Sequence, residues 1–234
     1  MLICKKFGKI ENRGGLILNN RAHDTGFTLV ELLVAMVLAG IVTTGIYSLY
    51  RSQQKSFAAQ EQFAELQARM RTALYFLERD ISMAGCDPTG TAGAGIVTAT
   101  HDSIRVTEDR NANGDASEYN EDITYSLYTS SGVVKLGRKT PASAHNQPVA
   151  EYIDALDFVY LDSNGHKIAP PIDPKKIRSV QITLVGRTSK MLPDYKDTNT
   201  YKNQQGKVIL QPPNDAYMRM ILTTEVLCRN LALK

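Results

Sequence analysis

Within this chain of 234 residues, the types and spacing best suited to chemistry lie at Asp109-Arg-Asn-Ala-Asn-Gly-Asp-Ala-Ser-Glu-Tyr-Asn-Glu121. Its first six residues fit the D-x-[DN]-x-[DN]-G start of a calcium loop, in which oxygens at alternate positions converge on one ion and Gly114 permits a sharp turn. Asp109, Asn111 and Asn113 would offer side-chain oxygens and Asp115 its backbone carbonyl, with Glu121 as the closing carboxylate. An EF-hand would place a bidentate Glu at the twelfth position, where this chain has Asn120; Glu121 comes one place late and Glu118 two early. No helix pattern flanks the segment, so an EF-hand proper is not expected, and a solvated Asx-rich turn between strands is the competing reading.

Other chemistry is sparse. Cys4, Cys86 and Cys228 are too far apart for a CxxC zinc or redox unit, and His23, His101, His145 and His166 are scattered and read as surface or loop residues. Neither GxSxG nor HExxH occurs, which leaves a membrane-tethered extracytoplasmic enzyme as a remote reading and no small-molecule substrate implied. The chain has 27 basic and 24 acidic residues, but five of the former and only two of the latter lie in the first 26 positions. The remainder is neutral, so the charge implies no nucleic-acid partner.

The elements that position these residues begin with an apolar run, Phe27 to Tyr50, that carries a single charge, Glu31. At about 1.5 Å per residue a helix of this length spans the roughly 30 Å hydrocarbon core of a bilayer. The basic residues before it predict a single pass with the N-terminus cytoplasmic and the bulk of the chain outside the cytoplasm. A secretory signal peptide would have a shorter apolar region followed by a small-x-small cleavage site, which is not seen here. A carboxylate such as Glu31 costs about 2.5–3.5 kcal/mol in lipid on insertion scales. It either snorkels to the headgroups at the helix N-terminus or meets a cation, and cleavage before Phe27 would create one as a free α-amino group.

Beyond Tyr50 the pattern turns amphipathic, with Phe63, Leu66, Met70, Leu74, Leu77 and Ile81 at steps of three or four. A helix is expected over 27–84, stopped by Ala84-Gly-Cys-Asp-Pro88, with its second half as the spine on which a head docks. Pro88 to Gly95 reads as a linker. Strands are expected over 96–100, 103–107, 123–129, 133–138, 155–161, 177–187 and 217–227, with a turn at Asp162-Ser-Asn-Gly165 and a long polar loop over 190–213. The fold class expected is α+β, a long N-terminal helix packed on an antiparallel sheet.

Gly26-Phe27-Thr-Leu-Val-Glu31-Leu-Leu-Val-Ala35 resembles the processing site of type IV prepilins. The resemblance implies cleavage after Gly26, methylation of the new N-terminal Phe27, and pairing of Glu31 with the Phe27 amine of a neighbouring subunit. The chain would divide into a cleaved cytoplasmic leader (1–26), the transmembrane half of the helix (27–50), its amphipathic half (51–86) and a β-rich head (87–234). The Gly-rich connection, the Asx-rich loop running into Glu121-Asp-Ile-Thr-Tyr125, the strand Ile177 to Leu184 and the closing Cys228-Arg-Asn230 are similar to the PilW-like minor pilins, and also to the minor pseudopilins of type II secretion.

What this implies is a structural subunit, not an enzyme. Its partners would be the prepilin peptidase, the inner-membrane assembly platform, other minor pilins and the major pilin. It would reside in the inner membrane with a periplasmic head, then in an extracellular fibre serving twitching motility or cell adhesion. Removal of Cys4 with the leader would leave Cys86 and Cys228 in an oxidising compartment, where a disulfide between them would contribute about 5 kcal/mol in the chain-entropy model.

Overall fold

The computed structural model describes residues 26–141, 143 and 145–233. Cys4, the basic cluster and the rest of the expected leader before Gly26 lie outside the described residues. The chain divides into two compact units, residues 1–50 and 51–234, and one helix, α1 (Leu29–Met83), contributes to both.

In the first unit, α1 carries the apolar run with every side chain exposed, Leu29 at 74% among them, and Phe27 just before it is 91% exposed. The stretch is long and apolar enough to cross a membrane. Thr43 and Thr44 direct their hydroxyls back to the Ala39 and Gly40 carbonyls at 2.7 and 2.8 Å. Such back-bonding satisfies hydroxyls that have no water to meet in an apolar medium.

In the second unit, α1 buries Leu66, Met70, Ala73, Leu77, Asp80 and Ile81, the stripe that a 3.6-residue period puts on one face. Phe63, expected on that face, is 38% exposed, and Leu74 is only half-buried because Ala73 takes the central position. The small Ala73 side chain lets backbone and sheet approach. The helix ends where the sequence stops it: Cys86 N–H donates to the Met83 carbonyl at 3.0 Å, and Gly85 takes the left-handed conformation at φ 82° that favours glycine after a helix.

Ten strands follow, all paired antiparallel. β1 (Ile96–Ala99), β2 (Ser103–Thr107), β3 (Asp122–Ser130), β4 (Val133–Lys139) and β5 (Gln147–Glu151) form a five-stranded sheet in sequence order. β6 (Ile153–Leu161), β7 (Ser179–Arg187) and β10 (Arg219–Leu227) form a second sheet in the order β10-β7-β6, and β8 (Tyr201–Lys202) pairs with β9 (Val208–Leu210). The helix-on-antiparallel-sheet class is therefore as expected, but the single sheet is three. Seven expected strands are present within about two residues. β5 was not expected, and neither was the β8–β9 pair inside the supposed loop over 190–213.

The chain passes from one large sheet to the other at Tyr152, whose φ of 59° turns the backbone between β5 and β6. Its ring is flanked by the guanidinium groups of Arg69 and Arg187, at 5.0 and 5.5 Å, contacts that hold an otherwise strained residue. Both sheets share one core with α1, where Leu66, Met70, Leu77 and Ile81 meet Ile104, Tyr125, Leu136, Ile182 and Leu184. Gly186 on β7 marks the closest approach, since a Cβ there would come within 2.4 Å of Met70 Sδ. On the other side of the three-stranded sheet, Ala155 and Val185 are covered by Tyr201, Ile209 and Leu210.

Candidate functional site

Two sequence motifs can be followed from residue to geometry. The first opens α1. Thr28 is the residue before the helix, and both its N–H and its hydroxyl donate to Glu31 Oε2, at 2.9 and 3.0 Å. Glu31 N–H donates in return to Thr28 Oγ1 at 3.2 Å. This is a capping box, T-x-x-E, in which two orphan helix amides are satisfied reciprocally. The T-x-x-E spacing is its sequence signal, which the carboxylate's cost in lipid masks. The box sets the Glu31 carboxylate beside the Thr28 amide, one residue from the nitrogen of Phe27, while Gly26 and Phe27 precede the helix.

The second motif joins β2 to β3. Asp109 is fully buried; Oδ1 accepts from Asn113 N–H at 3.2 Å, and Oδ2 from Gly114 N–H at 3.0 Å and the Thr89 hydroxyl at 3.3 Å. Asn111 Oδ1 accepts from Asn113 N–H at 3.0 Å, Asn113 Oδ1 from Asp115 N–H at 2.8 Å, and Asp115 Oδ1 from Ser117 N–H at 2.8 Å. The Ser117 side chain, and then its N–H, hold the exposed Asp115 carboxyl below its ordinary pKa. These successive Asx turns wind Asp109, Asn111, Asn113 and Asp115 into one coil. Gly114 is required twice, by its φ of 85° and by the 2.7 Å at which a Cβ would meet Thr91 Oγ1.

Glu121 returns to the start of that coil. Its Oε1 accepts from the amides of Arg110 and Asn111 at 2.8 and 3.2 Å. Asn120, left-handed at φ 67°, takes up the one-residue excess over an EF-hand spacing. The structure thus brings together all five residues singled out in the sequence. It adds Glu118, whose two oxygens accept from the Asn111 and Asn113 side-chain amides at 2.9 Å each, and the buried Glu108, which pairs with Arg110. Burial raises the Glu108 carboxyl despite the opposing pull of Arg110. Among the described residues no three Asp, Glu, His or Cys side chains are arranged to hold a metal ion. Any cation here would depend on amide and carbonyl oxygens beside the carboxylates.

Two charged clusters join elements of the second unit, and one of them reaches the coil. Asp80, 2% exposed, accepts from Arg79 Nε at 2.8 Å, the Tyr125 hydroxyl at 2.7 Å and Arg138 Nε at 3.0 Å, and so joins α1 to β3 and β4. Burial and the Asp80 charge together raise the Tyr125 phenol far above its usual range. Arg138 also donates to Asn120 Oδ1 at 3.1 Å, tying the coil to the same cluster. Arg219 gathers Asp154, Asp197 and Asp215 at 2.7, 3.2 and 2.6 Å, and its hydrogen bonds to Asp215 hold that carboxyl below the ordinary range.

The expected Cys86–Cys228 disulfide is not formed. Both are free thiols; Cys228 is fully buried in the apolar core, and loss of solvation pushes its pKa up to about 12. Leu231, which donates its N–H to the Cys228 carbonyl, packs instead against Gly85 next to Cys86. A Ser-x-x-Lys spacing occurs at Ser52 to Lys55, but Lys55 lies exposed in an ion pair with Asp194 at 3.2 Å. A Ser/Lys pair needs a buried amine as base, and Lys55 is neither buried nor free of a carboxylate partner.

A family model, the prokaryotic N-terminal methylation motif, matches residues 21–47. The chain carries a prepilin-like N-terminal motif. Among solved structures it is similar to a type IV-like pilin from Thermus thermophilus at 14% identity and a TM-score of 0.44, over 71% of this chain and 98% of that one. No curated protein matches the chain. The matched segment includes the capping box and most of the apolar run, where the described residues are all exposed. A structural subunit fits that motif; no known enzyme family is indicated.

Proposed function

We propose that this chain is a minor pilin, made as a prepilin, cut after Gly26 by the prepilin peptidase, methylated at Phe27 and incorporated at or near the tip of a type IV pilus. The observation that carries the reading is the methylation motif over residues 21–47, joined to an apolar helical stretch that buries nothing within its own chain. In this reading the stretch first lies in the inner membrane with the head in the periplasm. It is then covered by the helices of other minor pilins and of the major pilin, as the assembly platform extracts the subunit into an extracellular fibre that supports adhesion or twitching motility. Glu31, preset beside the N-terminus by Thr28, accepts the Phe27 amine of a neighbouring subunit and fixes axial register.

The test is the mass of the mature chain from cells carrying the cognate peptidase. Expected is a species beginning with N-methylated Phe27, and only full-length precursor from Gly26→Asp. A mature chain beginning elsewhere, or normal processing of Gly26→Asp, overturns the proposal. Deletion separates the fibre role from that of a type II secretion pseudopilin: loss of surface fibres supports the pilin, while retained fibres with failed protein secretion would reassign the subunit.

A further inference from the structure

Glu121 is 3% exposed, and although Oε1 is held by two amides, its Oε2 is buried with no hydrogen-bond partner. Glu108, bonded to Glu121 through its own N–H at 2.8 Å, is also 3% exposed and has a second stranded oxygen, Oε2. Asp109, between Glu108 and the coil, is fully buried. Buried carboxylate oxygens without donors carry the full penalty of desolvation. Arg110 is the cation paired within this segment, and it is already engaged by Glu108 Oε1.

We propose that residues 109–121 form a calcium site, with Asp109, Asn111, Asn113, the Asp115 carbonyl and Glu121 Oε2 as its donors. Every donor is a hard oxygen, and neither sulfur nor imidazole belongs to the set, which selects calcium, magnesium or manganese over zinc or copper. Mixed carboxylate, amide and carbonyl donors on an irregular coil suit the larger ion, which accepts variable geometry; magnesium demands a near-ideal octahedron and gives up water reluctantly. The stranded Glu121 oxygen then has its counter-charge, and the coil is closed from its far end by the residue that the one-place excess would otherwise have misplaced. This site is independent of the pilus reading, since it uses nothing from the first unit.

The experiment takes the full-length protein in detergent micelles and titrates calcium, following heat, melting temperature and the luminescence of terbium substituted for calcium, with Tyr119 in the coil as sensitiser. Expected is saturable binding with a Kd of about 10⁻⁴–10⁻³ M, as for extracellular calcium modules, and a melting temperature raised by calcium but not by magnesium at the same ionic strength. Glu121→Gln keeps an acceptor for the Arg110 and Asn111 amides and removes the charge, so affinity should fall about tenfold or more with unchanged circular dichroism. Should that variant misfold, Asn113→Ala, at an exposed position, is expected to weaken binding in the same sense. No saturable heat, no difference between calcium and chelator, or full affinity in a folded Glu121→Gln or Asn113→Ala protein overturns the site.

Discussion

Asp80 shows how much a single buried carboxylate can organise. It sits on α1 with three donors from three elements, and no water is needed to satisfy it. Replacing such a residue by alanine leaves Arg138 and Tyr125 buried without their charged acceptor, the arrangement for which breaking one partner costs about 3–5 kcal/mol. Asp80→Ala is therefore expected to lower the head's stability by that amount in denaturant unfolding, and Asp80→Asn, which retains an acceptor oxygen, by less. A loss below 1 kcal/mol for Asp80→Ala would show that the cluster does not dock the helix. At this scale the sequence was partly legible. The alternate oxygens from Asp109 to Asp115 announced the coil, because Asx-turn chemistry is local. Asp80 and Arg138 are 58 positions apart and had no local signature. Nothing in the spacing of Cys86 and Cys228 could show that Leu231 would pack beside Gly85.

At the scale of elements, periodicity located α1 and seven strands because each buries one face. β5 was hidden by Pro148, which cannot donate to a ladder and is tolerated here because β5 is an edge strand. β8 and β9 are two and three residues long, too short for a period to emerge; the tight turn ending at Gly206 and the burial of Tyr201 hold them. The contact that sets the spacing between α1 and β7 is the glycine at position 186. A Cβ there would meet Met70 Sδ at 2.4 Å and Leu66 Cδ1 at 3.2 Å, both in fully buried side chains. Gly186→Ala should cost about 1–3 kcal/mol through overpacking, measured as a lowered unfolding midpoint. An unchanged midpoint would mean that helix and sheet separate without penalty.

For the whole molecule, the two units divide along a difference in solvent. Among its described residues the first exposes every apolar side chain, while buried side chains in α1 begin at Leu66. A chain beginning at Arg51 is accordingly expected to be soluble without detergent and to melt in one cooperative step, since the second unit supplies its own core; aggregation or a non-cooperative melt would contradict this. Within that unit, Arg138 grips Asn120 at the mouth of the coil with one nitrogen and Asp80 on the helix with another. The order of the coil and the seating of the helix are thereby two readings of one equilibrium, and coupling of this kind is reciprocal. A tensile load that drew α1 off the sheets would loosen the coil, and whatever stiffened the coil would raise the force the helix withstands by the same coupling energy.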